Sequence, residues 1–307
     1  MTSLFDMDVP TLNLLTAPGW SDYELLDSGA GARLERYGPY TFVRPEHQAV
    51  WRRALPEARW QAAHGVFRPT GDEFGGQWEF RQPVKSPWVL GYKGLRFNAF
   101  TANSRHMGFF PEQAAQWDWM VERLAHPPKG LTEKPRLLNL FGYTGLATLA
   151  AARAGAQVTH VDASKKSVAL ARENQALSKL EAAPVRWLVD DAFKFVRREV
   201  RRGAQYEGII LDPPKFGRGP QGQVWEFFDG LPGLLEDCRQ LLSPQPMFII
   251  LTAYAIRASA LSIYYALQEM TRKLPGSLEA GELALQEQSA GRVLSMSIYA
   301  RWWANEQ

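Results

Sequence analysis

The chain is poor in cysteine, in long apolar runs and in net charge. Cys238 is the one cysteine among 307 residues. That excludes an internal disulfide and a cysteine-rich metal site, and it suits a reducing cytoplasm. No stretch approaches the roughly 18 consecutive apolar residues of a membrane-spanning helix. The opening MTSLFDMDVP lacks the basic start and apolar centre of a secretory signal. The five histidines are scattered without HxxxH or zinc-finger spacing, so no metal site is expected. The phosphate-loop lysine pattern is missing as well. A formal charge of +3 is at most a weak pointer to a polyanionic partner.

The distribution of charge says more than its sum. Residues 1–50 carry seven acidic and three basic side chains. Residues 194–218 hold Lys194, Arg197, Arg198, Arg201, Arg202, Lys215 and Arg218 against Glu199, Glu207 and Asp212. Such a cluster suits a phosphate-backbone contact surface, and equally a solvated helix face with cations near its C-terminus.

The chain divides by pattern into three parts. Residues 1–22 read as a partly ordered lead-in. Residues 23–104 are short strand-like runs broken by Gly and Pro, a small mainly β domain that could help to dock a substrate. Its aromatics, Tyr40, Trp51, Trp60, Trp78, Trp88 and Tyr92, are read chiefly as core. From 105 to 307 the pattern changes. LLNLF, VTHV, VRWLV, GIIL and MFIIL are apolar strands separated by helical stretches, the signature of βαβ units and a parallel sheet covered on both faces. ELALQEQ (282–288) and RVLSMSIYARWW (292–303) add a hairpin-like pair, which predicts a mixed seven-stranded sheet in an α/β, Rossmann-like domain.

The segment 137–168 is the richest. A strand ending at Phe141 enters a turn, Gly142-Tyr143-Thr144-Gly145, and a helix follows at once. Glycine allows the tight turn and close backbone approach, and the helix N-terminus offers unsatisfied N–H groups. The next strand ends in Asp162, placed to accept from two vicinal hydroxyls over the first turn. The turn is not GxGxxG, and it suits a nucleoside ligand better than a pyrophosphate; a nucleotide-binding Rossmann domain and a purely structural turn remain the alternatives. One strand further, Asp190 and Asp191 end VRWLVDD. Asp191 is placed to accept from an adenine amine while Ala192 supplies backbone, and helix N-capping explains either aspartate equally well.

NLFGYTG, VDASKK, DDAF and DPPKF, together with MGFFPEQ (107–113), resemble class I S-adenosylmethionine-dependent methyltransferases, and within them the rRNA large-subunit methyltransferase group with an N-terminal small β domain. The resemblance covers roughly residues 105–302. It implies S-adenosylmethionine as cofactor and structured RNA or a ribosomal subunit as partner; nothing in the sequence sets the oligomeric state. It implies that MGFFPEQ, with Phe110 and Gln113, lies across the cofactor. Asn139 and the loop from Phe141 to Gly145 would line its methionine side. Asp162 would take the ribose hydroxyls with Ser164 beside it, Asp191 would meet the adenine, and Asp212 would close the site near the sulfonium.

Asp212-Pro213-Pro214-Lys215-Phe216 stops a buried strand at its C-terminal end, where ligands of open α/β sheets sit. It resembles the D-P-P-aromatic loop of methyltransferases acting on planar nitrogen, with Lys215 inserted before the ring. Asp212 and a proline-fixed carbonyl at Pro213 would hold an amine, and Phe216 would stack on a base or else pack beneath the loop. Tyr254, on the adjacent strand end, would contact substrate or roof the pocket. Methylation at a ring carbon through a thiolate is not expected: Cys238 lies at helical spacing with Leu234, Leu241 and Leu242 and reads as core. Residues 216–223 have the composition of a mobile lid or of a plain connection, with a helix starting near Val224. The leading expectation is therefore a methyltransferase of a base nitrogen in rRNA. The alternatives are a small-molecule or protein methyltransferase and a noncatalytic RNA-binding protein that keeps the cofactor fold.

Overall fold

The computed structural model describes residues 9–70, 75–219, 222 and 224–305. Strand β1 (Leu12–Thr16) comes first. Then β2 (Tyr23–Gly29), β3 (Ala32–Tyr37), β4 (Tyr40–Pro45), the short α1 (Glu57–Gln61), β5 (Gly65–Pro69) and β6 (Gly76–Phe80) build a five-stranded sheet in the order β2-β3-β4-β5-β6. β7 (Trp88–Tyr92) and β8 (Leu95–Ala99) pair as an antiparallel hairpin. A 3-10 turn, Pro111–Gln113, leads into α2 (Ala114–Ala125).

The alternating part follows: β9 (Arg136–Leu140), α3 (Leu146–Arg153), β10 (Gln157–Asp162), α4 (Lys165–Leu177), β11 (Val185–Val189), α5 (Ala192–Arg201) and β12 (Gly208–Leu211). A small hairpin of β13 (Phe216–Arg218) and β14 (Val224–Glu226) precedes α6 (Phe227–Arg239), β15 (Phe248–Ala253), α7 (Ala260–Thr271), β16 (Gly276–Gln286) and β17 (Val293–Ala304). The main sheet runs β1-β16-β17-β15-β12-β9-β10-β11. β15, β12, β9, β10 and β11 are parallel, while β17 is antiparallel to both of its neighbours.

The expected mixed sheet thus carries eight strands rather than seven. The eighth comes from the stretch read as a lead-in: Leu12–Thr16 pairs in parallel with Ala280–Ala284 of β16. Five residues of half-exposed strand show little periodicity of their own. Their partner lies more than 260 residues away, and an open edge satisfies their backbone groups.

The period of two along each central strand sends side chains to two faces. Leu137, Ile210, Phe248 and Ile250 join a cluster with Tyr23, Phe42, Phe97, Phe109 and Trp117, so one face is covered by the N-terminal β region together with α2 and α3. Leu138, Ile209, Leu211, Ile249 and Leu251 join Phe195, Leu234, Cys238 and Ile263 on the other face, under α5, α6 and α7. Trp60, Trp88 and Tyr92 are buried, and Tyr40, Trp51 and Trp78 pack against the first cluster, so the aromatics of the β region serve as core.

A buried ionic knot sits within that β region. Glu35 is fully buried and takes bonds from Arg44 Nε and Nη2, both at 2.7 Å, from Tyr23 Oη at 2.9 Å and from Tyr37 Oη at 3.1 Å. Arg33 Nε lies 3.2 Å from the same carboxylate. Burial by itself would raise the Glu35 pKa, but the charges of Arg33 and Arg44 outweigh it and hold it at about 2.

Candidate active site

The loop after β9 is built under constraint. Phe141 and Tyr143 have φ of +58° and +49°, and Gly145 has +84°. Two non-glycine residues in the left-handed region within three positions mark a backbone held by its surroundings. Those surroundings are visible. A Cβ on Gly142 would lie 2.3 Å from His160 Cε1, so only glycine lets the loop cross this ring. His160, on β10, is fully buried, and burial depresses its pKa to about 3. Thr148 Oγ1 bonds its Nδ1 at 2.9 Å and accepts from Asn139 Nδ2 at 2.8 Å. Asn139 and His160 thus form the floor of the loop. The supporting role of His160 is invisible in a strand reading, because it depends on a neighbouring strand.

Asp162 at the tip of β10 accepts from Tyr143 N and from Ser164 N, each at 2.8 Å. A carboxylate has about four lone-pair sites, so two stay open for further donors. Burial raises its pKa, against the lowering by these two N–H groups. Ser164 itself is the N-cap of α4, with Oγ accepting from Ser167 N at 3.1 Å. Asp191 caps α5 through Lys194 N at 3.0 Å, and Asp190 is ion-paired with Arg198 at 2.6 Å. Ala192 is buried in the first turn of α5.

The lead-in to α2 closes over this loop. Thr144 Oγ1 donates to the Gly108 carbonyl at 2.7 Å. Phe110 stands between Tyr143 and Tyr254, with ring centroids 5.7 Å from each. Tyr254 also receives a bond from Arg105 and packs on His106. The Arg105 carbonyl accepts from Arg44 Nη1 at 2.6 Å, which ties the ionic knot of the β region to this wall.

Of the expected residues, Phe110, Gln113, Asn139, Phe141, Gly142, Tyr143, Thr144, Gly145 and Asp212 line one cleft. Asp162, Ser164, Asp191 and Ala192 stand at the ends of the next two strands along the same edge, outside that lining. Thr252, Gln116, Ile210 and Ile250 line the cleft as well. Thr252 could have been read from its place at the tip of β15, whereas Gln116 carries no sequence signal beyond following Gln113.

Asp212 sits where β12 ends, beside the glycine loop. Gln113 Nε2 donates to its Oδ2 at 3.2 Å. Desolvation first, and then the charge of Glu112, push its pKa up to about 7. Pro213 is buried, and the Pro214 carbonyl accepts from the Trp225 indole. Trp225 is itself wedged against Phe141 and Phe193, at 5.3 and 5.5 Å.

Trp225 explains a departure from expectation. The segment from Val224 does not start a helix; it returns as β14 against β13, and α6 starts at Phe227. Strand alternation turns Gly217 and Trp225 inwards and leaves Phe216, Arg218, Val224 and Glu226 outwards. Phe216 is accordingly 51% exposed and does not pack beneath the loop. Of the 216–223 loop, residues 220, 221 and 223 lie outside the described residues.

The basic cluster is partly neutralised. Arg197 pairs with Asp237 at 2.9 Å, Arg198 with Asp190, and Arg202 with Glu199 at 2.8 Å. Cys238 is fully buried in α6, and desolvation raises its thiol pKa far above the usual range.

This edge suits an adenosyl cofactor. Asp162 keeps lone pairs for vicinal hydroxyls, the N-terminus of α3 opens on the glycine loop, and Asp212 supplies a carboxyl for a cation between Phe110, Ile210 and Ile250. A doubly wound sheet with these groups at the carboxyl ends of its central strands defines a transferase working with a nucleoside cofactor. The comparisons narrow the class. The model of the S-adenosylmethionine-dependent methyltransferase family matches residues 54–277, and the chain belongs to that family. A solved S-adenosylmethionine-dependent methyltransferase from Agrobacterium tumefaciens is 45% identical, with a TM-score of 0.90 over 97% of this chain and 95% of that one. A candidate methyltransferase solved with S-adenosylhomocysteine shares the fold, at a TM-score of 0.71 and 18% identity over 92% of this chain and 75% of that one. Ribosomal RNA large subunit methyltransferase I of Escherichia coli is 40% identical over 85 residues, 27% of this chain and 22% of that protein. The chain therefore aligns with about a fifth of the length of the curated relatives it matches. S-adenosylmethionine is the cofactor of an enzyme of this kind.

Proposed function

We propose that the enzyme methylates a nitrogen of a base in RNA, rRNA in the first instance, without a cysteine nucleophile. The observation that carries this reading is the form of the loop after β12. Asp212 lines the cofactor cleft, and four residues on Phe216 stands half exposed at the start of β13, outside the cleft lining. A planar amine bonded to the Asp212 carboxylate and the Pro213 carbonyl would have its base plane within reach of the Phe216 ring. The buried thiol of Cys238 lies in the cluster of α5, α6 and α7, on the side of the sheet away from Phe109 and Trp117, so it supports chemistry that needs no thiolate.

Bound S-adenosylmethionine supplies an electrophilic methyl group, and transfer to a nitrogen lone pair is an in-line displacement that rests mainly on positioning. Asn139, the glycine loop and Asp162 would hold the cofactor. Gln113 orients Asp212, and Asp212 accepts the N–H hydrogen bond and takes the proton. Phe110, backed by Tyr254, would shield the cleft from water. The match to the rRNA enzyme and the excess of basic over acidic side chains across residues 194–218 support an RNA acceptor, with Arg197, Arg198 and Arg202 already held in ion pairs.

The test is transfer of tritiated methyl from S-adenosylmethionine to ribosomal subunits, naked RNA and protein from cells lacking this gene, with nucleoside analysis of the product. Label in one nitrogen-methylated nucleoside, lost in Asp212→Ala, is the expected result. Label confined to protein or small molecules refutes the RNA acceptor and leaves the cofactor chemistry standing.

A further inference from the structure

Glu112 takes no part in the chemistry described so far, yet it is 2% exposed. It lies in the 3-10 turn between Phe110, which walls the cofactor cleft, and Gln113, whose amide bonds Asp212. Among the described residues neither Glu112 nor Asp212 is ion-paired. Two desolvated carboxyls without ion partners, one residue and one hydrogen bond apart through Gln113, cannot both be ionised cheaply.

We propose that Glu112 and Asp212 form one proton-holding unit that exchanges its proton for the positive charge of the cofactor. Glu112 is a positioning residue that acts through Asp212. The pair holds a proton while no cation is in the cleft and releases it when the sulfonium binds. During transfer the acceptor nitrogen's lone pair bonds the methyl carbon, the C–S electron pair returns to sulfur, and the proton lost by the acceptor nitrogen returns to the pair. The charge within the cleft is then the same before and after the reaction, which a desolvated site favours.

The surroundings support this. Desolvation and Glu112 raise Asp212, and desolvation raises Glu112 to about 7 as well. From β3 and β4, Arg33 and Arg44 lower Glu112 and Glu35 raises it; both arginines are already held by Glu35, which is why burial wins. Just past β15, Tyr254 feels the charge of Glu112, is bonded by Arg105 and packs on His106, and burial keeps His106 neutral near pKa 3. From the glycine loop, Tyr143 stands between this wall and Asp162, and burial raises its phenol to about 12.

The inference rests on use of S-adenosylmethionine and not on the RNA acceptor, so the two fail separately. The experiment is titration calorimetry of the full chain with S-adenosylmethionine and with S-adenosylhomocysteine between pH 6 and 8, in buffers of different ionisation enthalpy. The amino acid moiety is common to both ligands, so the difference between them isolates the sulfonium. With a midpoint near 7, the sulfonium ligand releases roughly 0.7 proton more than the thioether at pH 6.5, and its affinity relative to the thioether falls about tenfold from pH 8 to pH 6. Glu112→Gln and Asp212→Asn each reduce the excess, and S-adenosylhomocysteine binding reports that the site is folded. Equal proton counts for the two ligands in the unmodified enzyme, a comparison that needs no variant, overturn the proposal. So does an excess that either folded variant leaves unchanged.

Discussion

Gly142→Ala asks whether the cofactor loop stands where it does because of the ring beneath it. The added Cβ would lie 2.3 Å from His160 Cε1 and 2.5 Å from Nδ1. Carbon atoms in contact settle at about 3.5–4.0 Å, so more than 1 Å must be found by ring or loop. The ring has little room to give: it is fully buried, lies 4.6 Å from the Trp187 ring and is tied to Thr148. Overpacking of this kind costs about 1–3 kcal/mol, or roughly 2–5 °C in Tm for a chain of this size. Lifting the loop also pulls Tyr143 N away from Asp162, so affinity for S-adenosylhomocysteine falls at least about tenfold, the worth of one charge-assisted bond. Scanning calorimetry with and without that ligand reads both effects. Truncating His160 to Ala in the same chain relieves the clash, and the double variant binds better than the two single losses predict, by about 0.5–3 kcal/mol of coupling. Wild-type melting and affinity in Gly142→Ala, or strictly additive losses in the pair, would refute the assignment of His160 as the floor of the loop.

Asp162→Asn removes the charge and leaves one oxygen to serve Tyr143 N and Ser164 N, so cofactor Kd rises roughly 10- to 100-fold by calorimetry. Cys238→Ser leaves methyl transfer within about twofold of wild type, and it destabilises the fold by about 1–3 kcal/mol in denaturant titrations because a hydroxyl enters an apolar cluster. Glu35→Gln leaves Arg44 buried without its anion and Arg33 with only Glu46 at 3.7 Å, and costs about 3–5 kcal/mol at neutral pH. The folded pKa of Glu35 is depressed to about 2 from 4.5, so its contribution is complete above 4.5 and fades as pH falls towards 2. The Tm gap between wild type and Glu35→Gln should narrow across that window.

Much of the site was legible because its residues sit at strand ends in sequence order. NLFGYTG, the aspartate ending the next strand, and DPPKF each combine a buried apolar run with residues that stop a strand, and parallel βαβ units bring all such stops to one edge of a sheet. The cleft accordingly gathers Phe110, Gln113, Asn139, residues 141–145 and Asp212. Asp191 and Ser164 show the limit of that reading. Both occupy helix N-caps, where one side-chain oxygen already serves the helix, and a sequence pattern assigns capping and ligand binding to the same residue types. The turn from Phe216 to Phe227 was not legible either, because a three-residue strand shows no period and its hairpin depends on Trp225 reaching the Pro214 carbonyl.

By itself the sequence determined the alternation of strands and helices, the order of the motifs along the sheet edge and the place of the one cysteine in an apolar helical stripe, since each follows from local periodicity and residue chemistry. Tertiary structure alone decided that Leu12–Thr16 completes the sheet at β16 and that His160 underlies Gly142. It also decided that the Arg33–Glu35–Arg44 knot braces the wall bearing Tyr254, and that Glu112 is buried beside the Gln113 that bonds Asp212. Each of these joins residues distant in the chain through backbone pairing, close approach or burial. Local pattern carries no record of such partners, because the same Glu or His would read identically on a solvated surface.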